Sequence, residues 1–284
     1  MILQGSLGNS AFERSIKELV TTDSKTEVVF NLRNITFIEP YGLIGLITAA
    51  RYCNSQLGIR PQIVPPPRKI ATYMNRMNFF NTFRNYGDFH KGLLLSLPSR
   101  RDSPLLEVSK LEFVSNWAVV DIAGSLMNRM VMILSRETSL KRALIHKIGI
   151  NIVEICENVY HSKDMGYVAV QRYEYPQPMV KVGIMDLGIG IAASLEKRYK
   201  TLRPSWSDLD AIKLSIEPDV TSREGGGGLG LTQLSKFIRD EAHGLLSIRS
   251  GTGKLVISNA GTNREYSDLT YFPGTQIDMT IPIG

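Results

Sequence analysis

The sequence predicts an α/β protein organised as two domains, and three observations carry that prediction. Residues 27–83 alternate strand-like and helix-like stretches, the order of a sheet covered by helices. Residues 116 to about 160 hold two long helical patterns, followed by strand patterns that end in glycine-rich turns. Between the halves, residues 84–103 are mixed in character, and residues 98–103 read as a linker. The expected domains are residues 1–98 and 104–284.

In the first domain, residues 27–32 (Glu-Val-Val-Phe-Asn-Leu) form a β-branched apolar run of strand length, and 35–38 continue it after an Arg33-Asn34 interruption. Glu39-Pro40-Tyr41-Gly42 breaks the strand. Residues 43–56 then place Leu43, Ile44, Ile47, Ala50 and Tyr52 at helical spacing, with Gly58 as the stop. Gln62–Val64 is a short strand ended by three prolines, and a helical pattern resumes over 68–83. The apolar residues 93–97 suit a last strand before the linker.

Composition agrees with a globular chain: of 284 residues, 43% are hydrophobic and 21% charged, enough for a sizeable core. Two distant cysteines, Cys53 and Cys156, suit a reducing compartment and argue against a disulfide scaffold or structural zinc. The first five residues lack the basic start and apolar core of a signal peptide. The apolar run 43–50 is far shorter than the ~20 residues that cross a bilayer. The expectation is a soluble cytoplasmic protein with no membrane partner. A net charge of +6 and a pI near 9.2 raise the question of nucleic acid. The basic residues are spread out and do not interleave with aromatics, so a basic surface suited to an acidic protein or a triphosphate is the better reading.

The layout of residues 28–64 resembles the STAS domain of anti-sigma-factor antagonists. In that family an Asp-Ser-Ser-Gly turn opens the helix, and its first serine is phosphorylated. Here the turn is Glu39-Pro40-Tyr41-Gly42: the acid and the glycine are kept, and proline stands where the phosphoserine would be. Proline has no hydroxyl, so a phosphate switch at that position is excluded by chemistry. An unrelated small α/β domain is the competing reading.

The chemistry concentrates in the second domain, in four elements. On the second long helical pattern, Glu154, Asn158 and His161 are spaced i, i+4, i+7 and share one face. Such groups are costly to bury without partners, and a solvated polar stripe explains them equally well. Next, a strand over 179–185 runs into Asp186-Leu187-Gly188-Ile189-Gly190. An acid at a strand end followed by two glycines lets the backbone approach a flat ligand while the carboxylate accepts a hydrogen bond. Third, Gly225-Gly226-Gly227-Gly228-Leu229-Gly230-Leu231 leads into an amphipathic helix beginning at about Leu231. Glycines before a helix free backbone N–H groups, and the helix start adds positive potential for phosphates. No Gly-Lys-Ser/Thr ends the run, so it is not a Walker loop, and no βαβ unit surrounds it. Fourth, Phe272-Pro273-Gly274-Thr275 turns into a final alternating strand.

In this order the four elements resemble the GHKL superfamily of Bergerat-fold ATPases, over residues 106–284. The resemblance implies a mixed sheet with helices on one face, and ATP with Mg²⁺ as the ligand. It implies that Asn158 coordinates the Mg²⁺ that bridges the phosphates, and that Asp186 reads the adenine amino group. Gly188 and Gly190 would let the chain pass the nucleoside. Gly226, Gly227, Gly228, Leu229, Gly230 and Leu231 would line the phosphate loop, and Thr275 would assist adenine binding. Glu154 stands where hydrolytic members carry their general base. Arg223 either contacts the γ-phosphate or is a surface arginine on a loop. Residues 192–224 would be a mobile lid. The His161 spacing is most similar to the anti-sigma-factor serine kinases, a branch whose members are often homodimers.

Three function classes follow: a protein serine/threonine kinase or slow ATPase acting on a separate protein partner, a non-catalytic nucleotide-gated binding module, and a histidine kinase. The last needs a phospho-accepting histidine on an upstream dimerising helix. His90, His146, His161 and His243 are all misplaced for that role.

Overall fold

The computed structural model describes residues 2–21, 27–89, 105–112, 116–137, 142–203, 205–221, 230–259 and 261–283. The expected linker and the expected strand at 93–97 lie outside these residues. The chain is a mixed α/β protein with two sheets among the described residues.

Strands β1 (Ile2–Leu7), β2 (Val29–Ile38), β3 (Gln62–Val64) and β4 (Asp88–Phe89) lie side by side in chain order, all parallel. Helix α1 (Asn9–Val20) joins β1 to β2, α2 (Pro40–Tyr52) joins β2 to β3, and α3 (Arg68–Arg76) and α4 (Phe79–Phe83) precede β4. Right-handed crossovers that all step the same way put such helices on one face of the sheet. The expected break at Arg33-Asn34 is instead a β-bulge inside a continuous strand, seen as a register shift against β1. The expected single helix over 68–83 is two, because Asn78 adopts a left-handed conformation with φ 59°. Pro40 sits at the start of α2, where a missing N–H is harmless.

The second sheet contains β5 (Leu105–Leu111), β6 (Gly166–Tyr173), β7 (Met179–Asp186), β8 (Leu245–Gly251), β9 (Gly253–Ser258), β10 (Arg264–Tyr266) and β11 (Phe272–Pro282). Its seven strands run in the order β10-β9-β8-β11-β7-β6-β5. Every pairing among them is antiparallel, which corrects the expected mixed sheet. One face carries α5 (Asn116–Glu137), α6 (Arg142–His161), α7 (Gly190–Tyr199), α8 (Asp208–Ser215) and α9 (Gly230–Lys236).

The other face is covered as well, by helices of the N-terminal residues. Strand parity shows why. Val180, Val182 and Ile184 of β7 join the core beneath α5–α9, while Met185 joins the core shared with α1 and α2. On β6, Val168 and Val170 face one way and Tyr167 and Ala169 the other. A strand apolar on both faces must be covered on both. Helix α2 supplies that second cover and is buried from Pro40 to Arg51. Polar ties reinforce it: the Lys181 ammonium pairs with Glu39 at 2.5 Å, the Tyr86 and Tyr167 hydroxyls meet at 2.5 Å, and the Val108 amide donates to the Met77 carbonyl at 3.0 Å. The layers therefore run parallel sheet, helices α1–α4, antiparallel sheet, helices α5–α9. Among the described residues no helix is long and apolar enough to cross a membrane.

Candidate functional site

Helix α6 buries Ile152, Ile155, Cys156 and Val159 against the antiparallel sheet. The remaining face brings Glu154 and Asn158, both half-buried, and the exposed His161 toward the start of α9. A Cβ on Gly230 would lie 3.4 Å from the Glu154 Cβ and 3.7 Å from the Asn158 Nδ2, so these three positions adjoin. Leu231 follows on the same first turn of α9 and, with Gly230, lines the pocket described below.

Asp186 ends β7 on the α6 side of the sheet and is 4% exposed. Its carboxylate accepts a hydrogen bond from the Gly188 amide at 2.8 Å. Burial pushes its pKa up to about 7; the Gly188 and Thr275 amides and the Ser162 hydroxyl pull it down, and the Asp164 charge pushes it up. Gly188 passes so close to the end of α6 that a Cβ there would stand 2.2 Å from the Ser162 carbonyl oxygen. Gly190 has φ +75°, a left-handed conformation that turns the chain into α7. The Ile191 amide then donates to the Ser250 hydroxyl at 2.9 Å.

These elements line an open pocket with a cavity volume of about 120 Å³. Ligand clefts are mostly apolar with a few placed polar groups. Here Ile155, Val159, Ile184, Ile191, Leu195 and Ile277 form apolar walls. Asp186 and Thr275 stand among them, and Asn158 and His161 line the same space. The sequence motifs point to the polar members; the walls come from strand and helix parity and carry no motif of their own.

The structure thus brings together Glu154, Asn158, Asp186, Gly188, Gly190, Gly230, Leu231 and Thr275. Arg223, Gly226, Gly227, Gly228 and Leu229 lie outside the described residues. The residues on either side, Thr221 and Gly230, both line the pocket. Thr221 is anchored, its amide donating to the Tyr199 hydroxyl at 3.1 Å and its carbonyl accepting from Arg198 at 3.2 Å.

The expected lid needs correction over its described part. Leu195, Ala211, Ile212 and Leu214 are buried in the core, and Asp208 ties α8 to the Thr252 amide at 2.7 Å. A Ser207–Asp210 capping box starts α8. The segment is packed into the core, and Ser194, Leu195 and Ser215 of it line the pocket.

No group of three or more His, Cys, Asp or Glu side chains suited to a metal occurs among the described residues. Asn158, which lines the pocket, supplies an oxygen donor that fits Mg²⁺ as it is commonly held, by one or two protein oxygens with phosphates completing the shell. Comparison with family models, curated proteins and solved structures finds no match for the chain.

Proposed function

We propose that the chain is an ATP- and Mg²⁺-binding regulatory protein of the GHKL type, acting as a protein serine/threonine kinase or slow ATPase on a separate protein partner. The observation that carries this reading is the Asp186 carboxylate, buried among apolar walls with Thr275 beside it. An adenine ring has apolar faces and an amino donor at its edge, which complements that slot and that acceptor. From there a nucleotide would extend its phosphates toward Gly230, where Asn158 would hold Mg²⁺. Glu154, on the same face of α6, is the candidate general base for an attacking water or hydroxyl.

The test is calorimetry with Mg-ATP. Binding is expected in the intact protein and absent in Asp186→Asn; unchanged affinity in that variant would sink the reading.

One observation favours the alternative, a nucleotide-gated binding module. The Glu39–Gly42 turn has no hydroxyl at Pro40 and is buried against β7, on the face of the sheet opposite the pocket. The N-terminal residues therefore offer no acceptor there in cis. Incubation with γ-labelled ATP and cell lysate separates the readings: label on a protein supports a kinase, free phosphate alone an ATPase, and neither a gated binder.

A further inference from the structure

The peptide plane joining Asp186 to Leu187 is held at both ends by side chains. At one end the Leu187 amide donates to the Asp164 carboxylate at 3.0 Å. At the other, the Gln276 side-chain amide donates to the Asp186 carbonyl at 3.3 Å and to the Pro273 carbonyl at 2.8 Å. The N–H and C=O of a trans peptide point in opposite directions, so the two clamps approach from opposite sides and fix the plane's rotation. The clamped backbone carries the Asp186 side chain and leads to the Gly188 amide, which holds its carboxylate at 2.8 Å.

Neither clamp stands alone. Asp164 is gripped through both carboxylate oxygens by Nη2 of Arg51, the last buried residue of α2. The guanidinium donates to the carboxylate at 2.5 and 2.7 Å and to the Met165 carbonyl at 2.8 Å. Gln276 has its oxygen held by the Arg249 guanidinium at 3.2 Å. Arg249, itself fully buried, is paired with Glu13 of α1 at 3.0 Å and also donates to the Gly251 carbonyl at 3.1 Å. Backbone groups of a strand end need partners in any fold. What is specific here is that both partners belong to ionic chains that begin in α1 and α2.

We infer that Arg51 and Arg249 are positioning residues for Asp186, acting through Asp164 and Gln276 on the Asp186–Leu187 peptide. The N-terminal helices are thereby part of the base-recognition apparatus. The inference rests on the adenine reading of the pocket, since positioning matters only if Asp186 reads a ligand.

The test measures the preference of the full-length protein for Mg-ATP over purine riboside triphosphate, which lacks the 6-amino group. That ratio isolates the Asp186 contact. Asp164→Ala and Gln276→Leu are each expected to lower the preference about tenfold, equivalent to ~1.4 kcal/mol. Asp164→Asn keeps an acceptor for the Leu187 amide and is expected to retain most of it. A purely structural role would weaken both nucleotides equally and leave the ratio unchanged, overturning the inference. Should Asp164→Ala fail to fold, Arg51→Lys decides, because lysine keeps the charge and loses the planar fork; a fall of about threefold is expected. An unchanged ratio there overturns the inference too. Asp186→Asn separates the two levels: if it loses Mg-ATP binding while the clamp variants keep the preference, only positioning fails. If Asp186→Asn binds Mg-ATP as the wild type does, the adenine reading fails.

Discussion

Tyr41 of α2 and Gly183 of β7 meet with no space for a side chain between them. A Cβ at position 183 would stand 2.8 Å from the Tyr41 Cα and 2.9 Å from its backbone nitrogen. The fully buried helix is therefore seated backbone-to-strand on the sheet. Gly183→Val forces α2 away, and overpacking of this kind costs about 1–3 kcal/mol. At roughly 2–4 °C per kcal/mol for a chain of this size, calorimetric melting is expected to fall by several degrees. A variant melting with the wild type would show that α2 is not seated there.

Asp186 links the pocket to pH. Burial raises its pKa from the ordinary 3.8 to about 7. A raised folded-state pKa means that the stability held with the neutral acid is complete below about 4 and is lost as pH rises through about 7. Asp186→Asn removes the buried charge, so the variant is expected to exceed the wild type in stability at pH 8, by up to a few kcal/mol. The gap should close as the pH is lowered toward 4. Denaturant melts across that range check it; a gap that does not vary with pH would contradict the assignment. Since an amino donor prefers the ionised acceptor, wild-type ATP affinity should also rise with pH through about 7.

Local patterns made much of this legible. The shared face of Glu154, Asn158 and His161 follows from helical spacing alone, and the acid at the end of β7 follows from a strand running into glycines. Gln62–Val64 was readable to the residue because prolines end it. Other features depend on distant contacts. At the break between α3 and α4 no glycine or proline announces the left-handed turn; Asn78 takes it because its short polar side chain tolerates that conformation. β1 carries a left-handed Gly5 within a weakly alternating run, and neither it nor α1 stood out as an element. Coverage of the antiparallel sheet on both faces was latent in the apolar run Tyr167-Val168-Ala169-Val170, but which helix would cover the second face is a tertiary fact. The clamps on the Asp186–Leu187 peptide join residues more than a hundred positions apart in the case of Arg51 and Asp164, with |i−j| of 113. No local pattern encodes them.

Glu154 and Asn158 share a helix face but have separable duties under the proposed function. Glu154→Ala is expected to keep Mg-ATP binding and to lose turnover by about 10²–10⁴-fold, the usual contribution of a general base. Asn158→Ala is expected to lose the magnesium-dependent part of ATP affinity. Phosphate release and calorimetry with and without Mg²⁺ check both. Phosphate release from Glu154→Ala at the wild-type rate would remove Glu154 from the base role.

The contact between α1 and the antiparallel sheet rests on Glu13, which is 18% exposed and pairs with Arg249 at 3.0 Å and Lys254 at 3.1 Å. Arg249 is fully buried, so removing its counter-charge leaves an uncompensated cation in the interior. Breaking a buried pair from one side costs ~3–5 kcal/mol, whereas replacing both partners with apolar residues of similar volume is often neutral. Asn9, which donates to Asp278 at 3.2 Å and accepts from Lys254, remains to hold the second cation, so the low end applies. Glu13→Leu alone is therefore expected to lower stability by about 3 kcal/mol. The double variant Glu13→Leu/Arg249→Met is expected to recover most of that loss in denaturant melts. It should not recover the preference for ATP over purine riboside triphosphate, because methionine cannot hold the Gln276 oxygen. If stability returns and the preference returns with it, Arg249 acts only as a structural charge.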